Sequence, residues 1–165
     1  MKLQRTIFGI LTIITMIVIF IFSSENGDES KNTSRGFVRK VINTLSITRN
    51  LDEIEKEKLI ENSQFLTRKM AHFSIYTILG INVFGFANTY KNMRIRFIIL
   101  TTIGVSAIYA MSDEFHQLFS SGRSASIRDV CIDTTGAIFG ILIFVLVEKC
   151  NKMYKNRNIK EINKE

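Results

Sequence analysis

No proline interrupts the 165 residues, so any helix the chain forms lacks the commonest cause of a kink. Cysteine is nearly absent. Cys131 and Cys150 stand 19 positions apart on one apolar stretch, about 28 Å along a helix, which excludes a bridge between them within one chain. There is no internal repeat, and this argues against the repeat architecture of secondary transporters. The chain also has no H-E-x-x-H pattern, no Ser-His-Asp order and no glycine-rich phosphate loop, so no signature of this kind marks a chemistry.

Charge is missing from four long stretches, and this absence decides the class. Hydrophobic residues total 46 %, a share that suits a soluble protein equally well; their placement does not. The blocks Thr6 to Phe22, Met70 to Ala87, Phe97 to Met111 and Val130 to Val147 are almost free of Asp, Glu, Lys and Arg. A helical span needs about 17 to 25 residues. The third block reaches that length from Ile95, with the Arg96 head snorkelling outward. The expected fold is all-α: one membrane domain over residues 1–165, a bundle of four transmembrane helices at 6–22, 70–87, 95–111 and 130–147. Lys2 and Arg5 ahead of the first block also fit a signal peptide, but its apolar run is long and no A-x-A site follows. A retained anchor is expected.

The net charge of +7 does not mark a nucleic-acid binder, because the basic residues follow the membrane pattern. The N-terminal tail, the loop from Asn88 to Arg96 and the tail from Glu148 onward hold two, three and six Lys or Arg. These segments share one side of a four-span protein, so the positive-inside rule puts both termini in the cytoplasm. Residues 23–69 then lie outside, with nine basic and eight acidic residues. Ser23 to Ser34 reads as a flexible exit. Phe37, Val38, Val41, Ile42 and Leu45 recur at helical spacing, giving a short amphipathic helix on the outer leaflet or on the bundle. Asn50 to Asn62 is charge-rich and reads as solvated.

With that topology, the polar groups of three spans fall at one depth, on the outer side. Arg68, His72, Tyr76 and Gly80 step by four along the second span, beside Lys69. Tyr109, Asp113, His116 and Gln117 share a stripe at the outer end of the third, with Glu114 adjacent. Asp129 and Asp133 continue into Gly136 and Gly140 at the start of the fourth, where the glycines permit close helix approach. Arg123 and Arg128 lie in and just after the connection between the last two spans. A carboxylate facing lipid costs a few kcal/mol, so these stripes are expected to face one another. The expected site has His72, Asp113, Glu114, His116 and Asp133 as acid–base groups. Arg68, Lys69, Tyr76, Gln117, Arg123, Arg128 and Asp129 are its binding groups.

These residues carry a resemblance to the VanZ-like family of bacterial membrane proteins. It runs from about Phe20 to Val147 through Ser23-Ser24, Arg68-Lys69-x-x-His72-Phe73-x-x-Tyr76, Asp113-Glu114-x-His116-Gln117, Gly122-Arg123-Ser124, and Asp129-Val-x-x-Asp133-x-x-Gly136-x-x-x-Gly140. The chain departs from the family pattern at Ile75, where many members carry an acid, and at Asp133, where Asn is common. The resemblance implies a protein of the cell envelope, in a family whose founding member is associated with low-level resistance to the glycopeptide teicoplanin.

Three functions compete at this point. The first is a site for an outer-leaflet lipid or lipid-linked wall precursor, its phosphate held by Arg68, Arg123 and Arg128. Transfer or hydrolysis at the headgroup would be the reaction if there is one, and catalysis is left open. The second is a structural module whose buried ion pairs fix helix register. The third is a metal site made by His72, Asp113 and His116 with Asp133; its spacing is not diagnostic, so neither a metal nor another cofactor is expected. Oligomeric state is not legible.

Overall fold

The computed structural model describes residues 2–44, 52–90, 92–123 and 125–162. Five helices make it up: α1 (Lys2–Ser24), α2 (Gly27–Thr44), α3 (Glu53–Asn88), α4 (Ile95–Gln117) and α5 (Ile127–Ile162). Four of them, α1, α3, α4 and α5, are long and apolar enough to cross a membrane. No strand occurs among the described residues. The expected all-α bundle with an added amphipathic segment is the fold.

Helix α3 is the spine, packing against all four other helices. Its tightest partner is α5, because the facing positions have no side chains to hold them apart. A Cβ on Gly136 would stand 2.5 Å from the Phe73 carbonyl oxygen, and one on Gly140 would run into the Thr77 carbonyl. Gly80 in turn lies against the backbone of Ala137. The pairs 73/136 and 77/140 advance together, so α3 and α5 run in the same direction, as the second and fourth spans of a bundle must.

Helix α1 is tied on by polar contacts at three levels. Arg5 Nε donates to Thr89 Oγ1 at 3.1 Å, with its guanidinium 3.9 Å from the centre of the Tyr90 ring. In mid-helix, Asn82 Nδ2 donates to Thr15 Oγ1 at 3.1 Å. Higher up, the Tyr109 hydroxyl donates to the Met16 carbonyl at 2.5 Å. Between these levels lie two apolar clusters, one of Ile19, Tyr76, Leu79, Val83 and Ala110, the other of Phe84, Ala87, Ile98 and Ile141. The outward faces stay apolar: Ile10, Ile13, Ile17 and Ile21 of α1 are all about half exposed or more. Bare isoleucine faces of this kind are stable in lipid.

Residues 23–69 differ from expectation in one place. The segment read as a flexible exit is mostly helix, because α1 continues to Ser24 and α2 begins at Gly27. The charge-rich segment read as solvated is mostly exposed where described, and from Glu53 onward it is the start of α3. Its helix start is a capping box. Asp52 accepts from the Glu55 backbone N–H at 2.7 Å, and the Glu55 carboxylate reaches back to the Asp52 N–H. An acid or hydroxyl followed three residues later by Glu is the sequence signature of such a start.

The amphipathic segment takes the bundle-packing alternative. Val38 and Ile42 of α2 bury against Ile60 on the outer extension of α3, while Phe37 and Val41 stay exposed. Arg35 and Arg39 both pair with Glu57 across this hairpin. Leu45 of the same pattern lies outside the described residues, as do Asn50, Lys91 and Ser124. At the other end, α5 continues as helix well past Val147.

Candidate functional site

The end of the bundle that carries the α4–α5 loop is shaped by the close α3–α5 approach and by that loop. Gly122 has φ +75°, a left-handed conformation that glycine adopts without steric cost. Its carbonyl lies where a Cβ on Gly27 would stand, and Gly27 N–H donates to the Ser121 carbonyl at 3.0 Å. The loop is thereby folded onto the α1–α2 junction. Arg123, next in the chain, donates to the Phe22 carbonyl at 3.3 Å. Glu114 anchors the far side: its carboxylate accepts from the Ser126 N–H at 2.7 Å, at the start of α5. A carboxylate is favoured there by the helix dipole.

Below this loop, three spans bring their ionisable groups together. His72 of α3 stands with Nδ1 3.6 Å from Asp133 Oδ2 of α5. Donor atoms of His72, Asp113 and Asp133 all lie within 4.8 Å of one another. Asp113 and Asp133 are 4 % and 0 % exposed. Gln117 Nε2 donates to Asp113 Oδ2 at 3.1 Å. Asp113 Oδ1, both oxygens of Asp133 and His72 Nδ1 have no hydrogen-bond partner among the described residues. Beside them, Tyr76 is fully buried with its hydroxyl equally unpartnered. Unpaired buried polar groups cost about 1 to 3 kcal/mol each, more when charged, so a concentration of them marks a place built for something other than stability.

Arg68 and Arg123 stand above the cluster. Arg68 is one helical turn outward of His72 on α3, about 6 Å by helix rise. Burial, and after it the Arg68 guanidinium, push Arg123 below the usual arginine range, while Glu25, Asp113 and Glu114 act the other way. The group stays charged, as arginine does in proteins. The Nε atoms of both arginines are buried and without a partner among the described residues. The two cations are thus close enough for the Arg68 charge to act on Arg123, and each keeps an unpartnered Nε.

Several expected site residues stand elsewhere. Lys69 and Asp129 pair with each other across α3 and α5, so they hold the helices rather than reach inward. Arg123, read from the sequence as a phosphate-binding group, donates to the Phe22 carbonyl, while Asp129 is taken by Lys69. Arg128 is exposed at the first turn of α5. His116 does not join the His72 cluster. Its ring lies on Phe20, with centroids 4.5 Å apart, because position 116 is turned from Asp113 toward α1. There it helps line an open groove of about 250 Å³ between α1 and α4, with Phe20, Phe115, Phe119 and Asp113. Reading the stripe by spacing alone missed Ser23, which is fully buried with an idle hydroxyl and neighbours Asp113. Its one mark in the sequence is the Ser23-Ser24 step of the family resemblance.

No curated protein and no solved structure gives a significant match to the chain. The model of the VanZ/LLP1 family matches residues 8–148, a range that reaches into all four spans and holds the whole polar cluster. The chain is therefore a multi-pass membrane protein belonging to the VanZ/LLP1 family.

Proposed function

We propose that this is a plasma-membrane protein of the cell envelope whose outward-facing polar site takes the phosphate headgroup of a membrane lipid or lipid-linked wall precursor. Both termini lie in the cytoplasm in this reading, as the Lys/Arg distribution requires. The observation that carries it is the pair Arg68 and Arg123, near enough for the Arg68 charge to act on Arg123, each with a buried, unpartnered Nε atom. Two guanidinium groups drawn together out of water repel each other, and an anion between them removes that cost. Guanidinium forks match phosphate oxygens bidentately. The aromatic groove between α1 and α4 leads to Asp113 and gives an acyl or prenyl chain a lateral way in from the bilayer.

The contribution to teicoplanin resistance that the family resemblance implies would follow from holding or altering such a precursor. His72, Asp113 and Asp133 lie within one turn of the arginine pair and supply the acid–base groups if a headgroup bond is broken there. Lys69 and Asp129 fit the structural alternative instead, since their mutual pair fixes α3 against α5.

Farnesyl pyrophosphate and farnesol, which share a chain and differ in the headgroup, provide the test. The purified chain in nanodiscs should bind the pyrophosphate at least about tenfold more tightly than the alcohol, a difference near 1.4 kcal/mol. Arg68→Lys combined with Arg123→Lys should erase that preference, because two forks become point charges. Equal binding of both compounds by the unaltered chain sinks the reading.

A further inference from the structure

We propose that His72, Asp113 and Asp133 bind one divalent cation of the zinc or manganese class. The site lies between α3, α4 and α5 and does not depend on the headgroup reading. Each residue comes from a different helix, and each offers a donor atom within 4.8 Å of the other two. Only the folded bundle brings them together.

The distance between His72 and Asp133 is informative. At 3.6 Å, Nδ1 and Oδ2 are too far apart for a hydrogen bond. Two ligands on one tetrahedral ion, with bonds of about 2.0 to 2.2 Å, stand about 3.4 Å apart. The observed separation is that of co-ligands. The donor atoms are also free to serve: Asp133 is fully buried with neither oxygen bonded, and Asp113 keeps Oδ1 idle while Gln117 holds its Oδ2. That amide orients the carboxylate, as the outer hydrogen bonds of metal ligands do.

Charge points the same way. Two buried carboxylates face a single imidazole, and Arg123, whose charge reaches Asp113, gives one donor to the Phe22 carbonyl. A cation of charge +2 at the centre offsets both carboxylates over the shortest distance available. One nitrogen and two carboxylate donors suit zinc or manganese. Calcium, which takes six to eight oxygens, does not fit so small a set. Three protein ligands leave a coordination position open. If the headgroup reading holds, a phosphate oxygen beneath Arg68 and Arg123 would fill it.

The full chain should be purified without a polyhistidine tag, reconstituted in zwitterionic nanodiscs and stripped with a chelator. Titration with Zn²⁺ against a chromophoric competitor, and with Mn²⁺ followed by electron paramagnetic resonance, should give one saturable ion per chain for one of the two metals. His72→Ala and Asp133→Asn should weaken it at least about tenfold, whereas His116→Ala should not. Circular dichroism decides whether each variant is folded, and His72→Gln replaces any that is not. No saturable binding of either metal by the folded unaltered chain overturns the proposal, as does affinity unchanged in folded Asp133→Asn. Metal binding without a preference for farnesyl pyrophosphate sinks the headgroup reading alone. The preference without metal sinks the cation site alone.

Discussion

Replacing Gly136 by alanine tests the geometry on which the site depends. The added Cβ would stand 2.5 Å from the Phe73 carbonyl oxygen and 3.2 Å from its carbon. Non-bonded carbon contacts settle near 3.5 Å, so α5 must retreat from α3 by roughly 0.5 to 1 Å. The obstacle is helix backbone, which cannot rotate aside as a side chain would. Overpacking of this kind costs about 1 to 3 kcal/mol. The retreat also widens the gap between His72 and Asp133, already 3.6 Å. Gly104 and Gly36 are the controls, because a Cβ on either meets nothing within 4 Å. Gly36→Ala should stabilise by about 0.5 to 1 kcal/mol, through backbone entropy in an exposed helix. Reversible unfolding in mixed micelles, followed by circular dichroism, measures all three variants. A Gly136→Ala protein as stable as the parent refutes the close packing of α3 on α5. So does a Gly104→Ala protein that loses as much as Gly136→Ala.

Two further outcomes follow from other parts of the bundle. In a background of Cys131→Ser and Cys150→Ser, a cysteine placed at Asn62 should react with an impermeant maleimide in whole cells; reaction only after lysis would invert the topology. The buried bond from Asn82 to Thr15 should show a coupling of about 0.6 kcal/mol, and below about 1.7, in a double-mutant cycle of Asn82→Ala and Thr15→Ala, measured by the same unfolding assay; zero coupling would remove it as a tie between α1 and α3.

The sequence by itself determined the class and most of the architecture. Four stretches without charge can be satisfied only as spanning helices, since an apolar helix of that length has no other solvent. Helical periodicity also placed His72, Tyr76, Asp113 and Asp133 on stripes that turn inward, because lipid penalises any polar group left facing it. Local chemistry is written in the sequence too: the Asp52–Glu55 cap that starts α3 needs only two residues three apart. What only the tertiary structure decided was partnership. Spacing along a helix says which residues share a face, but not which neighbour that face meets. So His116 could be grouped with Asp113 by spacing, yet its ring lies on Phe20 of α1. Lys69 and Asp129 could be assigned to a ligand, yet they neutralise each other. Arg68 and Arg123, 55 positions apart in the chain, are brought within electrostatic reach of each other only in the fold, where the turn at Gly122 sets the Arg123 backbone. Each of these outcomes depends on helix rotation and crossing, which are set by where backbones can touch, at Gly80, Gly136 and Gly140, and contact across helices leaves no mark in a one-dimensional pattern.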